Sequence, residues 1–452
     1  MVDISLYPAS FWMACLLLVC AGINAWNQRR KGWGIPALAV VVTVSVWYVG
    51  DALYNNYATY RSKIGDQALA NAWWQVCLFI VAFMVLTPVI SERLAGEQRP
   101  SQAVAILERR PLDQAHVQAK LDTLCKSMLV VWIALMLIAL IRVKFDFVGL
   151  FAPYLGYKRD PWARNRIGGG IDAFLSLAAY FQTFLTAGFG VILALTKNRK
   201  TRGIAFVVCL LAFPYYIFDR TRNTMLATVV PGFSVWVFGR VRGRLLVKFT
   251  LVAFGVALTS MWFSFVLQNR TNRSIASAFA SGSSLQKSAK HKHLGLNMAE
   301  ELGWINKFID QGNYEPNWGM RYFAEVVNPI PRVIWPDKPM IGIDYAIARG
   351  QGGARASSAG VFATISTGMI GQGVVNFGRW LGPVAAAILM AVWCGILARQ
   401  DRQATEPARL LLYALGLILT FNMGRDITLL NLYPFAFGWI VIVYWERRQV
   451  RV

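Results

Sequence analysis

The chain has 452 residues, 56% hydrophobic and only 15% charged, yet its formal net charge is +23. A soluble protein of this length carries about 25% charged residues, and a nucleic-acid-binding chain would not set its Lys and Arg between apolar runs of about 20 residues. Both classes are excluded: the composition is that of a polytopic membrane protein, with no nucleic-acid partner expected.

Backbone groups left unpaired in hydrocarbon are too costly for anything but helix. The apolar runs therefore predict eleven spans, at 6–26, 33–52, 70–90, 124–142, 171–196, 204–218, 224–239, 248–267, 381–398, 409–423 and 430–445. The basic connectors Arg29-Arg30-Lys31, Lys197 to Arg202 and Arg240 to Arg244, with the tail Glu446-Arg447-Arg448, all fall on one side. The positive-inside bias makes that side cytoplasmic, with the N-terminus outside and the C-terminus inside. The first run has no basic segment before it and reads as an anchor, not a cleaved signal. All six cysteines (Cys15, Cys20, Cys77, Cys125, Cys209, Cys394) fall within predicted spans, so no disulfide framework or metal spacing is expected.

Three regions follow. Residues 1–267 form an N-terminal bundle of eight spans, 268–380 a large outer loop with a re-entrant segment, and 381–452 three spans and a cytoplasmic tail. A loop as long as the second region is usually functional. Within it, Asn297 and Glu300 form a cap-like pair, and Met298, Leu302, Ile305 and Ile309 recur at helical spacing. That predicts an amphipathic helix lying on the membrane or on the bundle. A second short helix is predicted over 318–327, ending before Asn328-Pro329-Ile330-Pro331.

Candidate chemistry concentrates on the outer face. Asp219-Arg220-Thr221-Arg222-Asn223 is squeezed between two spans. Arginines at membrane depth either snorkel to headgroups or face a fixed anion, and the planar guanidinium suits phosphate. In the segment Asn328 to Pro339, four prolines stiffen a chain that presents Arg332, Trp335 and Lys338. It is either an interfacial aromatic anchor or a seat for a phosphorylated sugar. Ser366-Thr367-Gly368, Gly371-Gln372-Gly373 and Asn376-Phe377-Gly378 suggest a re-entrant or broken helix lining a cavity. Gly424-Arg425-Asp426 forms a short outer turn, and Arg159, Arg164 and Arg166 crowd the loop between the fourth and fifth spans. Carboxylates and imidazoles on the same face are Asp219, Glu325, Asp337, Asp344, Asp426, His291 and His293. Asp426 beside Arg425 reads either as a salt-bridge partner or as a base.

The order Arg-Thr-Arg-Asn, then Ile330-Pro331-Arg332-Val333-Ile334-Trp335-Pro336-Asp337-Lys338-Pro339, then Ser366-Thr367-Gly368 with Asn376-Phe377-Gly378, resembles the oligosaccharide repeat-unit polymerases, the O-antigen or Wzy-type family. Gln372 stands where that family often carries an acidic residue. The resemblance implies an all-α, GT-C-like glycosyltransferase of the bacterial inner membrane, with its active site facing the periplasm. Its substrate would be undecaprenyl-pyrophosphate-linked repeat units for lipopolysaccharide or exopolysaccharide. The lipid pyrophosphate would leave, with no metal, nucleotide sugar or other cofactor, and a chain-length-determining co-polymerase acts beside such relatives. Catalytic roles are then expected of Arg222, Arg332, Arg425, Asp426 and Glu325, and substrate binding of Arg220, Asn223, Trp335, Lys338, Asn376, Arg159, Arg164 and Arg166. The alternatives are an O-antigen ligase, which shares the donor but passes glycan to lipid A core, and a non-enzymatic transporter of the same lipid-linked substrate. Of the +23, +15 falls on the predicted cytoplasmic side and +8 outside, where the arginine turns lie.

Overall fold

The computed structural model describes residues 4–96, 100–102, 115–153, 159–162, 177–217, 222–241, parts of 247–262, 297–330, 334–339, 343–350 and 365–449. Among the described residues 81% are helical and none is in a strand. Among the described residues six helices are long and apolar enough to cross a membrane: α1 (Ala9–Asn27), α2 (Gly34–Tyr54), α4 (Asp66–Ala95), α5 (Ala115–Arg142), α7 (Ala178–Leu195) and α13 (Gly368–Arg402). Between and after them run α3 (Tyr57–Ile64), α6 (Phe147–Phe151), α8 (Arg199–Ile217), α9 (Arg222–Arg240), α14 (Pro407–Met423) and α15 (Leu429–Gln449). The predicted run at 248–267 lies largely outside the described residues.

Helix α13 packs most extensively on α4, and α7 on α9. One end of the bundle is tied by ion pairs between Lys120 and Glu406 and between Arg409 and Glu446. The other end receives α10 (Met298–Asp310), α11 (Met320–Val327) and α12 (Ile343–Ala348).

Helix α10 lies on the bundle. Met298, Leu302 and Ile305 are fully buried, which stabilises the docking by about 1.5–3 kcal/mol per side chain. The expected Asn297–Glu300 capping pair does not form: Asn297 makes no side-chain capping bond. Its place is taken by Asp51 of α2, whose Oδ2 accepts the Ala299 and Glu300 amides at 2.8 and 3.2 Å. A carboxylate meeting the first-turn amides satisfies orphan donors and complements the helix dipole. Gln75 and Asn306 exchange reciprocal amide bonds of 2.9 Å, both buried, and Arg379 pairs with Asp310 beyond them.

Helix α13 is broken. At Gly378 the backbone adopts φ 77°, ψ −177°, a conformation closed to residues with a Cβ. In a straight helix residues 373 and 382 would lie roughly 13 Å apart. Here their backbones touch, so a Cβ on Gly373 would stand 2.1 Å from the Gly382 carbonyl oxygen. The limb 368–377 therefore folds back on the limb 379–402.

Because backbone cannot yield as a side chain does, Gly373→Val should lower thermal stability by at least the overpacking cost of about 1–3 kcal/mol. Gly203→Ala, which meets open space, should leave it unchanged or raise it by about 0.5–1 kcal/mol. Thermal unfolding in detergent checks both.

Candidate functional site

Four pieces of chain converge where α11 lies over the short limb of α13: α11 itself, residues 365–377, the turn 424–427, and the π-helical turn Ser45–Val49 of α2. Such single π turns re-aim side chains. Here Trp47 donates its indole N–H to the Phe421 carbonyl at 2.9 Å, and the Tyr48 hydroxyl accepts the Ile370 amide at 3.0 Å. Gly424 has no room for a side chain, since a Cβ there would meet the Trp47 ring at 2.2 Å.

The 424–427 turn is stitched to the short limb. The Gly368 amide donates to the Arg425 carbonyl at 2.9 Å. Gln372 accepts the Ile427 amide at 2.8 Å and donates to the Ile427 carbonyl at 3.1 Å. Gln372 is thus a backbone clamp. Asn376, expected to touch substrate, is fully buried and joins the Gln372 carbonyl to the Tyr322 amide.

At the centre of this frame lies an ionic cluster. Asp426 Oδ1 accepts the Thr367 amide and hydroxyl at 3.1 and 3.2 Å and sits 3.6 Å from Arg321 Nη2. Its salt-bridge partner is therefore Arg321, a residue the sequence reading did not single out. Arg425 turns outward instead, donating from Nε to Ser366 Oγ at 2.7 Å. Arg321 is only 3% exposed and Glu325, one helical turn on, 4%. Glu325 takes a hydrogen bond from the Leu429 amide at the start of α15. Yet Arg321 Nε and Nη1, Glu325 Oε2 and the Tyr322 hydroxyl, all buried, have no partner among the described residues.

Burial sets the protonation here. Glu325 is pushed up to about 7, chiefly by loss of water and next by the nearby Asp426 charge, against the pull of Arg321. Asp426 is also raised by burial, opposed first by Arg321. The Tyr322 phenol is raised by burial. One guanidinium thus faces two carboxyl groups, both raised by burial, and Glu325 titrates near neutrality. A buried carboxyl with this tuning can take or give a proton at physiological pH.

The other expected residues divide. Lys338 donates to the Asn328 and Ile330 carbonyls at 2.6 and 2.7 Å, so its ammonium holds the proline-rich segment and is not turned to a phosphate. Trp335 is half-buried, edge-on to Phe323 with centroids 6.3 Å apart. Arg159 is in an exposed pair with Asp146 at 2.9 Å. Arg222 and Asn223 open α9 at the same end of the bundle, but their side chains, like Arg220, Arg332, Arg164, Arg166, Asp219, His291 and His293, lie outside the described residues. Asp344 accepts from Tyr314 at 2.7 Å and from Asn317 at 3.1 Å, fastening α12 to the α10–α11 link. The signal for Arg321 was present: an ionisable pair at i, i+4 on the face opposite Met320, Phe323 and Val326.

Comparison with family models, curated proteins and solved structures gives no match.

Removing Arg321 leaves Asp426 buried without its cation. Arg321→Met should cost about 3–5 kcal/mol. Because Glu325 keeps its proton to higher pH when folded than the ordinary 4.5, the folded state binds more protons between about 4.5 and 7. Stability should then fall as pH rises through that window, by up to about 3 kcal/mol. Glu325→Gln should flatten the decline, as melting temperature against pH would record.

Proposed function

We propose that the protein is a membrane glycosyltransferase that polymerises lipid-pyrophosphate-linked oligosaccharide repeat units, with the Arg321–Glu325–Asp426 cluster and Arg425 at the reacting centre. The observation that carries this reading is the pairing of a buried carboxyl titrating near 7 with arginines, set under a loop helix at one end of an apolar helical bundle. Together with the resemblance of the proline-rich and Ser366-to-Gly378 motifs to the polymerases, it gives each requirement of the reaction a candidate residue.

In this reading the acceptor hydroxyl attacks the anomeric carbon of the donor, and the bond to the pyrophosphate oxygen breaks. Glu325, ionised, takes the hydroxyl proton. Fixed cations stabilise charge developing on the leaving group, which is where preorganised electrostatics contribute most. Arg425 is exposed at the cluster edge, and Arg222 and Arg332 are proposed to join it. Asp426 orients Arg321 and is not the base. No metal is required. The cluster end is taken as periplasmic, with eleven spans in a GT-C-like, N-out/C-in arrangement in a bacterial inner membrane. The basic connectors Arg29-Arg30-Lys31 and Lys197 to Arg202 at the opposite end and the positive-inside bias support that orientation.

Glu325→Gln and Arg425→Ala should each abolish long glycan in cells while single lipid-linked units and protein level persist. In a purified assay with lipid-linked units, the rate should fall about tenfold per pH unit below about 7, as the base is protonated, and chelators should have no effect. Long polymer made by both variants would sink the reading. Undecorated surface lipid with polymer still on its carrier would identify a ligase instead.

A further inference from the structure

Helix α11 is inside out by the standards of water. Its buried side carries Arg321 and Glu325, and its outward side carries Met320, Phe323 and Val326, all exposed. At 100° per residue the three apolar positions span an arc of about 120°. A helix in water would present the opposite face. Next to it in the proline-rich segment stands Ile334, 71% exposed, and Val326 itself is 63% exposed.

This face does not end at the loop. The link before α11 is fastened to the break in α13: the Asn317 amide donates to the Val375 carbonyl at 3.0 Å, and Pro316 lies against Gly378. Just past that break, Trp380 is 70% exposed and Leu381 is also exposed. They begin the limb 379–402, whose Ile388 and Leu389 are outward further along. The α11 face is thus continuous with the apolar surface of a helix long enough to cross a membrane, at the level of its first turn. On the far side of the link, Gln311, Asn313 and Glu315 are exposed and polar.

We infer that the Met320–Phe323–Val326 face of α11 lies in the lipid at the headgroup–acyl boundary, with Ile334, Trp380 and Leu381 in the same belt, although α11 belongs to the large loop between spans. Apolar helix faces sit at this depth, and Trp is enriched there. The loop helix α10, whose spacing fitted either the membrane or the bundle, is buried on the bundle, and α11 is the element that meets the membrane. Helix α11 is then the wall between lipid and the Arg321–Glu325–Asp426 cluster. The inference needs only a membrane around the bundle and stands or falls independently of the proposed activity.

Nitroxide labels on Phe323→Cys and Val326→Cys test it, in full-length protein with Cys15→Ala and Cys20→Ala, reconstituted in phosphatidylcholine–phosphatidylglycerol vesicles. Both labels replace exposed side chains, and a Glu315→Cys label serves as the water reference and Leu389→Cys as the deep one. The ratio of collisions with oxygen to collisions with a nickel chelate should be far above that at Glu315 and below that at Leu389. A ratio equal to that at Glu315 would place the face in water and overturn the inference. Low access to both agents would show that protein covers it, either another segment of this chain or a second copy, and would overturn it equally. Dipolar broadening between labels separates those two cases.

Discussion

The contact between Gly373 and Gly382 is the constraint on which this end of the molecule depends. Because the backbone reverses at Gly378, one short limb stands beside a full-length one with no side chain between them. The limb 368–377 then has free faces on which other chain can be fastened. Gln372 holds the 424–427 turn, Asn376 holds the start of α11, and Thr367 holds Asp426. A Cβ at either glycine would separate the limbs and move all three anchors together.

Electrostatics in this frame follow from burial. An arginine taken out of water must be paired, and its pairing must compensate for the lost hydration. Arg321 is met by Asp426 at 3.6 Å and the Ile365 carbonyl at 3.4 Å, and two of its nitrogens have no partner among the described residues. Such incomplete satisfaction is costly in a purely structural cluster. It is the state expected of groups that await a ligand or water, and it is what makes this cluster the strongest candidate for chemistry. Glu325 shares the same environment but is also tied to the start of α15. A proton placed on it therefore couples the loop helix to the last helix of the bundle.

The turns named from sequence carry buried polar contacts, though often with partners distant in the chain. Asp426 was read beside Arg425, its neighbour in the chain, yet it pairs with Arg321, and Arg425 reaches Ser366. Adjacent residues on a turn point different ways, so proximity in sequence is a poor guide to ion pairing. A rigid proline segment could set Lys338 against a cavity as a phosphate contact, but its ammonium instead satisfies the Asn328 and Ile330 carbonyls. Asp51 is a lone charge near the end of α2. It is the cap of α10, more than two hundred residues away. The break in α13 was legible, since clustered glycines after Ser366-Thr367 have few other uses at membrane depth.

What the sequence determined by itself was the class and the placement of helices. Long apolar runs leave the backbone no alternative to helix, and turns rich in Gly, Pro and Arg mark where helices stop. Those are local consequences of composition. What only the tertiary structure decided was which charges meet, which face of α11 looks outward, and what caps α10. Residues 321 and 426, or 51 and 299, are joined by contacts across the fold, and no local periodicity encodes them. The energy of a buried charge depends on what surrounds it in space, so its partner is chosen by packing and not by its neighbours in the chain.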